Sequence, residues 1–122
     1  MFAVAGSTSN VTNDSSVDSG HRSVQHVSIV ATAGSSLSLS CSADNQPTPM
    51  WDFYPHTSSQ SVTVYNGAKP SEYLDPRFLL DVASCRVNNC TLRIEHLQLK
   101  DAGLFVCLHS VRRYVSLTVL GQ

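Results

Sequence analysis

The sequence has few charged residues and no large excess of either sign. Only 14% of its 122 residues are charged, and eight basic against nine acidic residues give a formal net charge of −1. Binding to a nucleic-acid backbone requires clustered basic side chains, because release of counterions from the phosphates drives it. We therefore expect no nucleic-acid partner.

Long hydrophobic runs are also missing. No apolar stretch approaches the roughly 20 residues that span a bilayer, so we expect no membrane span in this fragment. Residues 1–6 are too short for the apolar core of a signal peptide. The length suits one domain, since a single hydrophobic core usually serves roughly 100–150 residues.

Catalytic motifs are absent as well. Five histidines and many serines supply the residue types of a Ser-His-Asp triad, but no G-x-S-x-G, H-E-x-x-H or P-loop pattern accompanies them. We therefore expect a chain that is not an enzyme and that needs no cofactor or metal.

The cysteines and the glycosylation motifs suggest a secreted protein. Four cysteines are an even set, which allows three disulfide pairings. Asn10, Asn13 and Asn89 each begin an Asn-x-Ser/Thr acceptor for N-linked glycans. Both features are typical of an oxidising compartment, so we expect an extracellular or cell-surface location.

Zinc binding is the alternative use of these cysteines. Cys85 and Cys90 are close in sequence, and His96 or His109 would complete the ligands. Structural zinc sites usually have a second pair of ligands at short spacing, which this sequence lacks. The spacing therefore favours disulfides.

The chain divides into a polar N-terminal segment and a β-rich remainder. Residues 1–23 are rich in serine and have no apolar period, which predicts a flexible tail or stalk. From residue 24, turn-forming clusters interrupt short apolar runs about every 8–12 residues, as in an all-β sandwich or barrel. The predicted strands cover residues 24–32, 36–42, 50–54, 61–65, 78–82, 91–96, 103–109 and 114–120.

Three residues in this β-rich part resemble the core of an immunoglobulin domain. Cys41 is followed by the single tryptophan, Trp51, and then by Cys107 at the end of the segment Asp-Ala-Gly-Leu-Phe-Val-Cys. The resemblance covers residues 24–122 and implies a two-sheet antiparallel sandwich. It also implies a disulfide between Cys41 and Cys107, with Trp51 packed against it.

The long gap between these cysteines resembles the variable type (V-set), which adds two strands after the third. Residues 61–67 look like the first added strand and its turn. Arg77 is similar to an arginine that begins the fourth strand and pairs with the corner aspartate, here Asp101. Phe105 departs from the pattern, because the family has its corner tyrosine there. The last strand also lacks the Gly-x-Gly bulge of rearranged receptor chains.

Cys85 and Cys90 lie outside this core pair. If residues 78–82 and 91–96 are antiparallel strands, the two cysteines face each other at a hairpin end, which predicts a local disulfide. Closing so short a loop stabilises by roughly 2 kcal/mol, against roughly 4 kcal/mol for the long loop between Cys41 and Cys107. We expect the short disulfide to pin only an edge of the sandwich.

Alternation along three strands predicts an outward face suited to binding. If Trp51 and Cys107 point inward, a period of two turns six side chains outward: Asp52, Tyr54, Val106, Leu108, Tyr114 and Ser116. Exposed clusters of aromatic and aliphatic residues usually bind proteins. Arg112 and Arg113, expected at the tip of the loop 110–113, would steer or rim the contact.

The resemblance and this face together predict a function. We expect an extracellular, non-enzymatic recognition domain of an immune-receptor or cell-adhesion type protein. It would bind a protein partner, either a cell-surface receptor or ligand or a second copy, through the front sheet and adjacent loops. The alternative is a structural or assembly domain that only mediates homo- or heterodimerisation.

Overall fold

A computed structural model describes residues 8–12, 24–41, 49–87, 89–108 and 112–121. The strands within these ranges are β1 (Thr8–Thr12), β2 (Val24–Thr32), β3 (Leu37–Leu39), β4 (Met50–Pro55), β5 (Val62–Tyr65), β6 (Phe78–Leu80), β7 (Leu92–Ile94), β8 (Gly103–Leu108) and β9 (Arg112–Leu120). A short helix, α1 (Val82–Val87), follows β6, and a 3₁₀ turn at Leu99–Asp101 precedes β8.

The strands form two sheets. The larger sheet has the order β1-β2-β9-β8-β4-β5, and the smaller has the order β3-β7-β6. Neighbouring strands are antiparallel, except that β2 runs parallel to β9. The predicted all-β, two-sheet sandwich is confirmed, with this parallel pair as the departure from a purely antiparallel arrangement.

The core lies between the sheets because apolar and polar residues alternate along the strands. In β3, Leu37 and Leu39 are buried while Ser38 is exposed, as the serine alternation predicts. In the larger sheet, Phe105 stacks on Phe53 with ring centroids 4.2 Å apart, and Phe78 of the smaller sheet packs beside both. Each such buried side chain contributes about 1.5–3 kcal/mol of hydrophobic stabilisation. Phe105 therefore serves as part of an aromatic cluster where the family has a tyrosine.

The N-terminal segment contains a strand that the sequence does not predict. β1 pairs antiparallel with β2, so that Thr8 lies opposite Val30 and Thr12 lies opposite His26. These five residues are therefore sheet, not tail. Their sequence has no apolar alternation to reveal a strand, and the pairing uses the backbone edge of β2. Residues 1–7 and 13–23 of the expected tail lie outside the described part of the chain.

Of the two added V-type strands, the described residues between β4 and β6 form only the first. β5 pairs with β4, with a bulge at Trp51 and Asp52. Residues 66–77 contain turns and a single bridge between Tyr65 and Pro70. The Asn66 side chain accepts hydrogen bonds from the N–H groups of residues 68 and 69 at 2.8 and 2.9 Å, which closes a tight turn.

The expected hairpin connection after β6 is helical. Asp81 caps α1: its carboxylate accepts a hydrogen bond from the Ser84 hydroxyl at 2.8 Å and another from the Ser84 N–H at 3.3 Å. The Ser84 side-chain hydrogen bond lowers the pKa of Asp81. The pattern Asp-x-x-Ser is the signal that a strand-and-turn interpretation of these residues overlooks.

Candidate functional site

Two disulfides organise the end of the sandwich that holds α1. Cys41 is bonded to Cys107, with Cα atoms 6.3 Å apart, and this bridge joins the two sheets. Cys85 is bonded to Cys90 around α1, with Cα atoms 3.9 Å apart. Because these two sulfurs are bonded to each other, they are not the thiolates that the zinc alternative requires.

The short disulfide belongs to the core, which corrects the expectation that it pins only an edge. Cys85 and Cys90 are 1% and 0% exposed. Cys90 exchanges two backbone hydrogen bonds with Cys41, at 2.8 and 3.1 Å. The indole N–H of Trp51 donates to the Cys90 carbonyl at 3.2 Å. The two disulfides and the tryptophan therefore form one buried unit.

An ion pair closes the opposite end of the sandwich. The Arg77 guanidinium contacts both carboxylate oxygens of Asp101, at 2.7 and 2.8 Å. The Arg77 and Asp101 side chains are 15% and 3% exposed, so the pair is largely shielded from water. The hydrogen bonds to Asp101 raise the pKa of Arg77, which keeps the guanidinium charged. The pair therefore ties the residue before β6 to the 3₁₀ turn before β8.

The outward side of the larger sheet, here called the front face, carries the predicted contact residues. Its members are Asp52, Tyr54, Leu104, Val106, Leu108, Tyr114 and Ser116. The strand register places Val106 directly between Asp52 and Tyr114. The ring of Tyr114 stacks on that of His26 at 5.1 Å. The face thus brings the predicted outward residues of three strands together.

Exposure differs sharply among these residues. Tyr54 is 46% exposed, while Leu108 and Tyr114 are half-buried. Val106 is only 5% exposed although it lies outside the main core cluster. Its neighbours in the adjacent strands shield it, so Val106 forms the floor of the face and is not an exposed contact. Leu104 follows the same alternation as Val106, and the sequence prediction omitted it.

The two arginines do not form a loop tip, because β9 begins at Arg112. Arg112 is exposed on the front side of the strand. Arg113 points to the opposite side, where it donates to the side chain of Gln25 at 3.0 Å. Only Arg112 is therefore placed to rim the front face. Residues 109–111, which include part of the predicted loop, lie outside the described residues.

A groove of about 600 Å³ continues the front face toward the Arg77 end. Tyr54 and Leu104 line one part of it, and Ser116 and Thr118 line another. The groove gives the face a concave region beside its most exposed aromatic residue.

The outward side of the smaller sheet, here called the back face, is more polar. Its central row consists of Ser38, Arg93 and Leu79. Arg93 pairs with Glu95 at 3.1 Å in an exposed ion pair. Among the acceptor asparagines, Asn89 is exposed, Asn10 lies in β1 opposite Ser28, and Asn13 is outside the described residues.

The described ranges contain no group of three or more His, Cys, Asp or Glu residues that is placed to hold a metal ion. Within the same ranges, no helix has the length and apolar character to cross a membrane.

The paired sheets, the disulfide between Cys41 and Cys107 and the buried Trp51 match a known domain family. The family model for the immunoglobulin V-set domain matches residues 24–120. The chain belongs to the immunoglobulin V-set family. The V-set domain begins at β2, so β1 lies outside the matched range.

Solved structures share the fold of this V-set domain. One comes from a study of multimeric cell-adhesive interactions of VGSC beta subunits; it is 22% identical, has a TM-score of 0.55, and the match covers 78% of this chain and 92% of that one. Another is the ZIG-8 IG1 homodimer, which is 20% identical with a TM-score of 0.57 and coverage of 78% and 79%. The sequence has no match among curated proteins.

Proposed function

We propose that this V-set domain is an extracellular, non-enzymatic recognition module that binds a protein partner through its front face. The observation that carries the proposal is the exposed ring of Tyr54 beside Leu104 and the concave groove. Tyrosine is a frequent anchor of protein interfaces, since it buries a large area with few rotatable bonds.

The rest of the front face suits such an anchor. Val106 is a rigid, buried floor, and the flanking Leu108 and Tyr114 are half-buried, so little side-chain entropy is lost on binding. The charged residues among its outward positions are Asp52 and, at the rim, Arg112. An apolar centre with a few charges around it is the usual arrangement of a protein interface.

The disulfides and the relatives support the same proposal. Two buried disulfides are typical of a protein that matures in an oxidising compartment, which favours an extracellular or cell-surface location. The structural relatives are described in cell-adhesive interactions and as a homodimer. A cell-surface protein or a second copy of this chain is therefore the class of partner that we propose.

The test is association measured with matched variants. Self-association is followed by sedimentation over a concentration series, and association with other proteins by titrating labelled domain onto intact cells. Tyr54→Ala and Leu108→Asp should each weaken binding by about 1–2 kcal/mol, roughly a tenfold rise in Kd. Ser38→Arg on the back face is the control and should leave Kd unchanged.

The opposite pattern, in which Ser38→Arg weakens binding and the front-face variants do not, would move the site to the back face. Saturable self-association without any binding to cells would identify a second copy as the partner and would favour the assembly-domain alternative, in which the domain only dimerises. An absence of association in both measurements would contradict the proposal.

A further inference from the structure

The acceptor Asn89 faces the same side of the smaller sheet as Ser38, Arg93 and Leu79 of the back face. Cys90, Leu92 and Ile94 are fully buried, so alternation directs Asn89, Thr91 and Arg93 outward. Asn89 is exposed and begins the acceptor triplet Asn-Cys-Thr. The triplet therefore enters β7 with its asparagine facing away from the core.

A groove of about 380 Å³ opens on the back face, and its lining includes Thr91, the last residue of the acceptor triplet. The residues that line it are Ser38, Leu79, Leu80, Asp81, Ser84, Thr91 and Arg93. The N–H of Asn89 donates to the Ser84 carbonyl at 3.2 Å, which holds the asparagine backbone next to a residue that lines the groove.

The groove combines the two kinds of surface that a sugar ring presents. Leu79 is 43% exposed and offers an apolar patch in the middle of a polar face. Ser38 and Arg93 flank the groove with hydrogen-bonding groups, and Asp81 adds a carboxylate. Pyranose rings have an apolar C–H face and a rim of hydroxyls, so this lining matches their chemistry.

We propose that Asn89 carries an N-linked glycan whose first sugars lie in this groove over the back face. In the transfer, Asn89 Nδ2 forms a bond to the anomeric carbon of a lipid-linked oligosaccharide. The bond from that carbon to the lipid diphosphate breaks, the diphosphate leaves with its electron pair, and an amide proton passes to a base of the transferring enzyme. The proposal rests on the proposed function, because this glycan transfer takes place on the secretory route that an extracellular protein follows. It concerns the back face, whereas partner binding is proposed for the front face.

The site is tested on the domain secreted from eukaryotic cells. Peptide N-glycosidase converts a glycan-bearing asparagine to aspartate, and peptide mapping should find this conversion at residue 89. Thr91→Val should abolish it, while Thr91→Ser preserves the acceptor triplet and should retain it. Secreted protein without conversion at residue 89, whatever the state of Asn10 and Asn13, would overturn the proposal.

The position of the glycan is tested by amide hydrogen exchange. Glycosylated protein should exchange more slowly than the unglycosylated Thr91→Val variant at residues 79–81 and 91–93, with Thr91→Ser behaving like the wild type. Equal exchange in these segments would overturn the placement in the groove. Partner association of Thr91→Val is measured separately. If neither this variant nor the glycosylated protein binds a partner, the proposed function fails. The peptide mapping alone decides whether Asn89 carries a glycan.

Discussion

Arg77, the residue before β6, donates two hydrogen bonds, at 2.7 and 2.8 Å, to the carboxylate of Asp101 in the 3₁₀ turn. The same guanidinium also donates to Asp75 and to the carbonyl of His96, the latter at 3.0 Å. His96 has a φ of 52°, in the left-handed region that is strained for a residue other than glycine. The ion pair and the hydrogen bond to the His96 carbonyl together fix the turn that precedes β8.

Removing Arg77 should destabilise the domain strongly. Arg77→Ala leaves the Asp101 carboxylate, which is 3% exposed, without its counter-charge. Breaking a buried pair in this way typically costs about 3–5 kcal/mol, to be measured by urea denaturation. Arg93→Ala is the matched control, because its pair with Glu95 is exposed and should cost less than about 1 kcal/mol. Equal losses in both variants would contradict the proposed role of burial.

Acid should weaken the same corner through Asp75. Hydrogen bonds from Arg77 lower the pKa of Asp75 below its ordinary value of 3.8. A carboxyl whose pKa is lower in the folded state stabilises the fold above the unfolded pKa and loses that contribution as the pH falls through the folded pKa. The free energy of unfolding should therefore fall below about pH 4, and Asp75→Asn should reduce this fall. If the free energy of unfolding fell equally with pH in the wild type and in Asp75→Asn, the assignment of this acid sensitivity to Asp75 would be disproved.

Gly103 should not tolerate a side chain. Its φ is 153°, and a Cβ at this position would collide with the Tyr54 carbonyl oxygen and lie 2.9 Å from the His56 nitrogen. We expect Gly103→Ala to cost at least about 1–3 kcal/mol, measured by thermal or urea unfolding. At Gly121 an added Cβ would have its nearest neighbour at 4.0 Å, so Gly121→Ala should be nearly neutral.

The disulfide around α1 should influence the tryptophan as well as stability. A double variant Cys85→Ala and Cys90→Ala should lose about 2 kcal/mol from the shorter loop alone. Because the Cys90 carbonyl accepts the Trp51 indole hydrogen bond, the emission of this single tryptophan should also change. A loss of stability with unchanged Trp51 emission would show that α1 and the tryptophan are independent.

Strong alternation made most of the sandwich predictable. Leu37, Leu39 and the serines between them specify a strand and its buried face, and Trp51 between two cysteines specifies how the sheets join. The V-set resemblance added the partnership of Arg77 and Asp101, which spacing alone does not reveal. Each of these features is encoded locally or by a pair of residues with a fixed geometry.

The misplaced features depend on contacts that no local pattern encodes. Val106 has the alternation of an exposed residue but is shielded by its neighbours in β4 and β9. Arg113 joins β9 because β2 runs beside it, and that parallel pairing directs its side chain toward Gln25. β1 forms on the free edge of β2, which is a tertiary feature. The burial of Val106, the start of β9 and the presence of β1 could therefore be learned only from the structure.

The lateral margins of the larger sheet decide where a further strand could add to it. β1 covers the outer side of β2, and at the other margin the Ser71 N–H donates to the Val64 carbonyl at 3.1 Å. An uncovered strand is a template for adding further chains side by side, the geometry of amyloid growth. β1 is itself the outermost strand, so it moves the unpaired backbone edge from the nine residues of β2 to the five residues of β1, and a short edge strand offers little backbone for another chain to pair with.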